Sequence, residues 1–344
     1  MTTKIAINGL GRIGRLVLRQ ILAAQEDGND LNVVAVNDIA PADNLLYLLR
    51  HDSAYGEPPF SAEHADGRLK VAGKDIAYLS ERDPARLPWQ DLGVDIVIEA
   101  TGFFTRRDES AKHLEAGAKH VIITAPGKNA DITVCMGCNE DKLDPAAHRV
   151  VSNASCTTNC LATVAKVLDD AFGIEDGFLT TVHAYTSSQS LVDAPSKKWR
   201  RGRAAAISIV PTTTGAAIST TLVLPQLEGK IDGLAIRVPV VTGSVSDFVA
   251  HTVRPVSVEG VNEAFRTAAA TERLKGILGV SDEELVSADI VGSRYSALLD
   301  APSTMVLGDR TVKVLAWYDN EWGYSQRVVD ITAYLGKRLE TTHV

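Results

Sequence analysis

Short unbroken apolar runs alternate with stretches of helical spacing through the first half of the chain. "KIAI" (4–7), "VVAV" (33–36), "DIVIEATG" (95–102), "HVIIT" (120–124), "ITVCMG" (132–137) and "RVVS" (149–152) read as buried strands. From Ile13 the apolar residues Ile13, Leu16, Val17, Ile21 and Leu22 follow a helical period. Uniformly apolar strands that alternate with helices predict a parallel sheet covered on both faces, a doubly wound α/β arrangement. The stretch 60–79, with "GRLKVAGKDIAYLS", predicts a small inserted hairpin. After residue 156 the rhythm changes. The spacing predicts a helix from Thr157 to a C-cap near Gly173. The longer runs "GFLTTVHAY" (177–185), "GLAIRVPVV" (233–241), "SVSDFVAHTV" (244–253) and "TVKVLAWY" (311–318) then predict a mostly antiparallel sheet in a second, α+β domain. Between the first two of these, 186–215 is polar, basic and rich in Ser, Thr, Gly and Pro. A loop of that length between regular elements predicts a functional segment. In the last segment, "SQRVVDITAYLGKRLE", Val328, Ile331 and Leu335 share one helical face.

The 344 residues suffice for two domains with separate cores. The formal net charge of −8 argues against a nucleic-acid or membrane-surface partner, because those need a basic footprint. No apolar run approaches a membrane span, and "MTTKIAINGLGRIGR" has no apolar core of a secretion signal, so the expected location is cytoplasmic. In that reducing compartment the four cysteines are expected as free thiols, metal ligands or catalysts.

"NGLGRIGR" (8–15) carries G-x-G-x-x-G at Gly9, Gly11 and Gly14. The motif follows a strand, opens an amphipathic helix and precedes a second strand ending at Asp38, the context a dinucleotide fingerprint requires. Gly9 allows a tight turn, Gly11 lets a pyrophosphate approach the backbone, and Gly14 lets helix and strand pack closely. The phosphates are expected on the helix N-terminus. A carboxylate at Asp38 suits ribose hydroxyls and repels a 2′-phosphate, which favours NAD over NADP.

"SNASCTTNC" (152–160) holds Cys156 and Cys160. With Cys135 and Cys138 they loosely match a four-cysteine zinc set. The first pair lies in a strand-like run and the second at helical spacing, whereas structural zinc pairs sit on knuckles and turns, so no metal is expected. Cys160 reads as a buried helix residue. Cys156 stands where strand gives way to helix, and the helix dipole there is expected to lower its thiol pKa. His183, on a strand that runs into the polar loop, is the candidate base. Addition of such a thiolate to an aldehyde gives a thiohemiacetal, whose C–H hydrogen can leave as hydride while histidine takes the hydroxyl proton. The resulting thioester yields an acid with water or an acyl phosphate with phosphate. "TSSQ" (186–189), "SKKWRRGR" (196–203), "PTTTGAA" (211–217) and "AIRVP" (235–239) supply hydroxyls, amides and arginines suited to two phosphate groups.

"INGLGRIGR", "EATGFF", "SNASCTTNC", "TTVHAYT", "GRAAA", "TTTGAA", "STMV" and "WYDNEWGYS" occur in one order along the whole chain. In these motifs the sequence closely resembles phosphorylating glyceraldehyde-3-phosphate dehydrogenase. The resemblance implies a homotetramer. It implies a Rossmann domain over 1–155, completed by a C-terminal helix at 320–344. A catalytic domain then covers 156–319, with a loop at 186–209 that reaches a neighbouring subunit's cofactor site. It implies NAD-linked, phosphate-dependent oxidation of glyceraldehyde 3-phosphate, with Cys156 as nucleophile and His183 as its acid/base partner. By the same resemblance Thr186, Ser188 and Arg237 hold the substrate's C3 phosphate. Ser155, Thr157, Thr214, Gly215 and Arg201 hold the attacking phosphate. Arg12 and Ile13 join the glycines at the pyrophosphate, and Thr101, Gly102 and Phe103 lie beside the cofactor. Thr124, Asn320 and Tyr324 border the nicotinamide. Leu10, Ser190, Ala194, Thr163, Cys138 and "RVPVVTGS" depart from the usual pattern without removing a group the chemistry needs. Erythrose 4-phosphate dehydrogenase and a catalytically silent NAD-binding regulator are the competing readings.

Overall fold

The computed structural model describes residues 2–24 and 30–341. The chain divides into two compact units. The first is Met1–Val134, Glu140–Ala154 and Ser325–Val344, and the second is Cys135–Asn139 and Ser155–Tyr324. Relative to the expected boundaries, the short segment Cys135–Asn139 joins the second unit and the C-terminal return to the first begins at Ser325.

In the first unit the described residues form a nine-stranded sheet. Its order is Ala62–Ala65, Arg68–Val71, Lys74–Leu79, Leu31–Asn37, Thr3–Asn8, Ile96–Glu99, His120–Ile123, Val150–Ser152 and Ile132–Thr133. From Lys74–Leu79 onward every pairing is parallel. Ile5, Ile7, Val36, Ile96, Ile98, Val121 and Ile122 are fully buried, which is why these strands read as continuous apolar runs. The helix Arg12–Ala24 buries Leu16, Val17 and Ile21. Two differences from the pattern stand out. The expected hairpin at 60–79 is a three-stranded meander whose last strand completes the parallel sheet. Its turns place Asp66-Gly67 and Ala72-Gly73 at positive φ, the geometry a tight hairpin turn demands. The run "ITVCMG" keeps only Ile132–Thr133 as strand. The chain then turns, with the Cys138 N–H on the Cys135 carbonyl at 3.0 Å and Gly137 at φ 83.

The second unit carries an eight-stranded mixed sheet among its described residues. Ile174–Ala184 lies at its centre, parallel to Ile231–Val238 and antiparallel to Ser244–Thr252, which in turn pairs antiparallel with Thr311–Tyr318. The helix Cys156–Phe172 ends at Gly173, whose φ of 71 provides the expected stop. Among the described residues no helix is long and apolar enough to cross a membrane.

Candidate active site

In the first unit, three neighbouring strands end in Asn37, Asn8 and Glu99, which are register partners across the sheet. Beyond them the chain turns at Gly9, with φ 95 and its N–H on the Asn37 carbonyl at 2.8 Å. A Cβ on Gly9 would meet the Thr101 nitrogen at 2.7 Å, and one on Gly14 would meet the Gly9 oxygen at 1.9 Å. A Cβ on Gly11 would meet nothing within 4 Å among the described residues. The first and third glycines are therefore demanded by close packing, and the second leaves open space above the helix N-terminus. Asp38 accepts the Leu10 N–H at 2.7 Å and the Ala40 N–H at 2.9 Å, which pins the second strand end to the glycine turn. The resulting cleft is lined by Asn8, Gly9, Gly11, Asp38, Glu81 and Thr101 among others. An open glycine shelf, a helix N-terminus and a strand-end carboxylate fit a dinucleotide. Gly102 sits at φ 73, Phe103 is exposed, and Thr124 donates its N–H and hydroxyl to the Glu99 carbonyl. Ile13 is half-buried in the first turn of the helix. Arg12, a residue expected at the pyrophosphate, opens the helix there, with its guanidinium bonded to Asp52 and lying over the Tyr55 ring. Burial raises the Asp52 pKa, but the Arg12 hydrogen bond and the Ala54 and Tyr55 amides outweigh it and hold the carboxyl below its ordinary value.

In the second unit, Ser155 caps the helix Cys156–Phe172 by accepting the Thr158 N–H at 3.1 Å. This fixes Cys156 in the first turn, where the residue is half-buried. The sulfur lies 3.4 Å from His183 Nε2. Parallel register places His183 directly beside Arg237. Arg237 Nη1 is 2.9 Å from His183 Nδ1 and donates to the Ala184 carbonyl at 2.9 Å. Burial and then Arg237 push the His183 pKa down to about 3. Burial raises the Cys156 pKa, and Arg237 with the Thr157 hydrogen bonds only partly offsets it. The depressed thiol pKa expected from the helix dipole is thus overridden by desolvation in the ligand-free protein, where both shifts favour neutral thiol and neutral imidazole.

Around this pair the hydroxyls and arginines are linked to one another. Thr186 Oγ1 is 2.9 Å from Ser188 Oγ, and Arg201 Nη1 reaches the same Ser188 oxygen at 3.4 Å. Ser188 is therefore tied to Arg201, while the bonds of Arg237 run to His183 and Ala184. Arg201 also bonds Thr212 Oγ1 and the Thr213 carbonyl. Thr214 Oγ1 accepts the Ala216 N–H, and Gly215 stands open at the N-terminus of the helix Ala216–Val223. The Thr157 hydroxyl bonds Tyr318 at 2.9 Å beneath the site. Asn320 is buried and accepts from Ser244 at 2.7 Å. Tyr324 is buried against the small cavity behind Cys156.

Tyr318, Asn8 and Asn37 are residues that pattern reasoning passed over. Tyr318 packs edge-on to His183 at 6.0 Å and bonds both Thr157 and Thr181. The signal for the two asparagines is a polar residue closing an otherwise apolar strand just before a glycine or aspartate. Cys160 is fully buried, its pKa raised to about 12 by desolvation. The C-x-x-C segment is a turn, so its strand-like appearance was no argument about zinc. Among the described residues no group of three or more His, Cys, Asp or Glu side chains is placed to hold a metal ion. Two departures from the usual family pattern meet here: Cys138 Sγ lies 4.0 Å from Thr163 Oγ1, which bonds the Asn159 carbonyl at 2.8 Å.

Fold and sites together describe an α/β dehydrogenase, with a dinucleotide-binding unit and a thiol-bearing unit. Residues 3–107 match the family model for the NAD binding domain of glyceraldehyde 3-phosphate dehydrogenase, and residues 155–320 match its C-terminal domain. Similar proteins include the glyceraldehyde-3-phosphate dehydrogenase of Geobacillus stearothermophilus, 55% identical over 98% of this chain and 99% of the relative. That of Streptomyces coelicolor is 52% identical over 98% and 100%, and glyceraldehyde-3-phosphate dehydrogenase 1 of Bacillus subtilis is 53% identical over 98% and 99%. The chain belongs to the glyceraldehyde-3-phosphate dehydrogenase family.

Proposed function

We propose that the chain oxidises glyceraldehyde 3-phosphate to 1,3-bisphosphoglycerate, with inorganic phosphate and NAD, through a covalent Cys156 adduct. The observation that carries this reading is the 3.4 Å approach of Cys156 Sγ to His183 Nε2, beside the half-buried guanidinium of Arg237. Cys156 attacks the aldehyde carbon, its proton passes to His183 Nε2, and Nε2 returns that proton to the carbonyl oxygen, which becomes the thiohemiacetal hydroxyl. NAD, when bound, supplies the hydride acceptor. His183 takes the hydroxyl proton as the thiohemiacetal becomes a thioester. Phosphate then attacks the thioester carbon and Cys156 leaves as thiolate. Arg237, Thr186 and Ser188 hold the ester phosphate, and Arg201, Ser155, Thr157, Thr214 and Gly215 hold the attacking one. The link from Ser188 to Arg201 supports the two phosphates sharing this hydroxyl as a boundary.

Gly9, Gly11, Gly14, Arg12, Ile13 and Asp38 hold the adenosine and pyrophosphate, with Thr101, Gly102 and Phe103 along the same cleft. Thr124, Asn320 and Tyr324 serve the nicotinamide end. The assembly is a homotetramer, supported by the exposed apolar residues Phe178, Ile207, Ile209, Ile218 and Leu222 on the second unit. The location is cytoplasmic, in keeping with four free cysteines. The test is NADH formation from glyceraldehyde 3-phosphate and from erythrose 4-phosphate, each with and without inorganic phosphate. Phosphate-dependent NADH from the triose is expected. Preference for the tetrose, or rates indifferent to phosphate, would contradict the assignment.

A further inference from the structure

Beneath the dinucleotide cleft lies a buried polar chain that the reaction itself does not use. Glu99 is 2% exposed, and its carboxylate meets four donors. Oε2 accepts Asn8 Nδ2 at 2.6 Å and His113 Nε2 at 3.0 Å. Oε1 accepts the Thr101 N–H at 2.9 Å and also the Thr101 hydroxyl. The protonation of this chain follows from its far end. Trp89 Nε1 can only donate, and it points at His113 Nδ1 from 2.9 Å. His113 Nδ1 therefore accepts, the ring proton sits on Nε2, and Nε2 donates to Glu99. With every neighbour donating, Glu99 is the acceptor-only carboxylate, carrying its charge inside the protein.

The chain continues outward to the cleft wall. Because Asn8 gives its amide hydrogens to Glu99, its Oδ1 is left to accept Asn37 Nδ2 at 2.7 Å. Asn37 in turn accepts the Glu81 N–H at 2.9 Å and donates to the Glu81 carbonyl at 2.9 Å. On the other side the Thr101 hydroxyl, having donated to Glu99, accepts the Phe103 N–H at 3.1 Å. Asn8, Asn37, Glu81, Thr101 and Phe103 all line the cleft. Thr101 also forms the floor that excludes a side chain at Gly9.

We propose that Glu99 is a positioning residue for NAD: its buried carboxylate, oriented through His113 by Trp89, presets the amide and hydroxyl directions around the dinucleotide cleft. The proposal rests on the reading of this cleft as the NAD site. Glu99→Gln is nearly isosteric, yet its NH₂ must face donors in either orientation. NAD dissociation, measured by calorimetry, is expected to weaken by about tenfold or more, as for one unrelieved donor–donor contact in a buried site. Alkylation of Cys156 by iodoacetamide, a property of the second unit, is expected to stay unchanged. Trp89→Phe removes the donor that fixes the His113 ring, so Nε2 can become an acceptor for the new amide. In the double variant Glu99→Gln with Trp89→Phe, part of the lost NAD affinity is expected back, although the two side chains do not bond each other. Additive losses, or unchanged NAD affinity in Glu99→Gln, would overturn the proposal. Asp38→Ala, measured alongside, separates the two readings. If it weakens NAD and Glu99→Gln does not, the positioning role alone fails; if neither does, the cleft assignment fails with it. Neutron diffraction from crystals of the unaltered protein tests the same point without a variant. A deuteron on His113 Nε2 and none on Glu99 is expected, and a deuteron on Glu99 or on Nδ1 would refute it.

Discussion

In the first unit the functional surface is made of backbone and strand-end side chains whose hydrogen bonds converge on the Glu99 carboxylate and the Asn37 amide. In the second it is made of charged groups competing for the same partners. The cleft has Gly9 packed closely against both Gly14 and Thr101, and Asp38 anchored to two amides. It is a shape that exists before anything binds. The thiol site has His183 Nδ1 within 2.7 Å of the Ala184 carbonyl and 2.9 Å of Arg237 Nη1, two contacts that ask opposite things of one nitrogen. The Arg237 Nε atom, buried, has no partner among the described residues. An anion on Arg237 gives that guanidinium a better partner and leaves Nδ1 to donate to Ala184. The contrast teaches that the cofactor half is fixed by close backbone packing, whereas the reacting half, on the proposed function, would be completed by an anionic substrate.

Replacements that test this contrast differ in expected size. His183→Asn removes the base, and turnover should fall by about two to four orders of magnitude while NAD affinity holds; parallel loss of NAD binding would break the separation of the two halves. Next, Arg237→Ala should raise KM for glyceraldehyde 3-phosphate by about a hundredfold, from loss of charge-assisted bonds, far more than for unphosphorylated glyceraldehyde. Equal effects on both substrates would remove Arg237 from the phosphate site. Asp38→Ala should lower the preference for NAD over NADP by about tenfold, the scale of one charge contact, as read from kcat/KM for each cofactor. The smallest effect belongs to Asp52→Asn, at about 1 kcal/mol of stability, because solvent screens the partly exposed pair. The Asp52 carboxyl is depressed in the folded state, so its contribution is present above the unfolded carboxylate range and is lost as pH falls through the folded value. The melting-temperature difference from the unaltered protein should therefore shrink on acidification; a gap that widens would contradict the Arg12 pairing.

The parallel sheet was legible because its strands are buried on both faces, and Gly9, Gly11, Gly14 and Asp38 were legible because close approach leaves few alternatives to their side chains. The meander at 60–79 was only half legible: its turn residues were visible, but not that Lys74–Leu79 would pair with Leu31–Asn37. The C-x-x-C turn was misread since Val134 and Cys135 are apolar and buried in either conformation. The thiol's raised pKa was hidden for a similar reason. A helix N-terminus can be read from Ser155 and Cys156, but the depth of protein around the sulfur comes from strands far along the chain. Register set the rest, since only the pairing of His183 with Arg237 shows that one arginine touches the base.

The central step of the proposed reaction is a carbon–sulfur bond at Cys156. Enzyme mixed with NAD and glyceraldehyde 3-phosphate in phosphate-free buffer, quenched in acid and mapped by peptide mass spectrometry, reads that bond directly. The predicted result is a phosphoglyceroyl group on the peptide carrying Cys156, which disappears when phosphate is added before quenching. Active enzyme that forms NADH with Cys156 unmodified throughout, or with the acyl group on another residue, would contradict it.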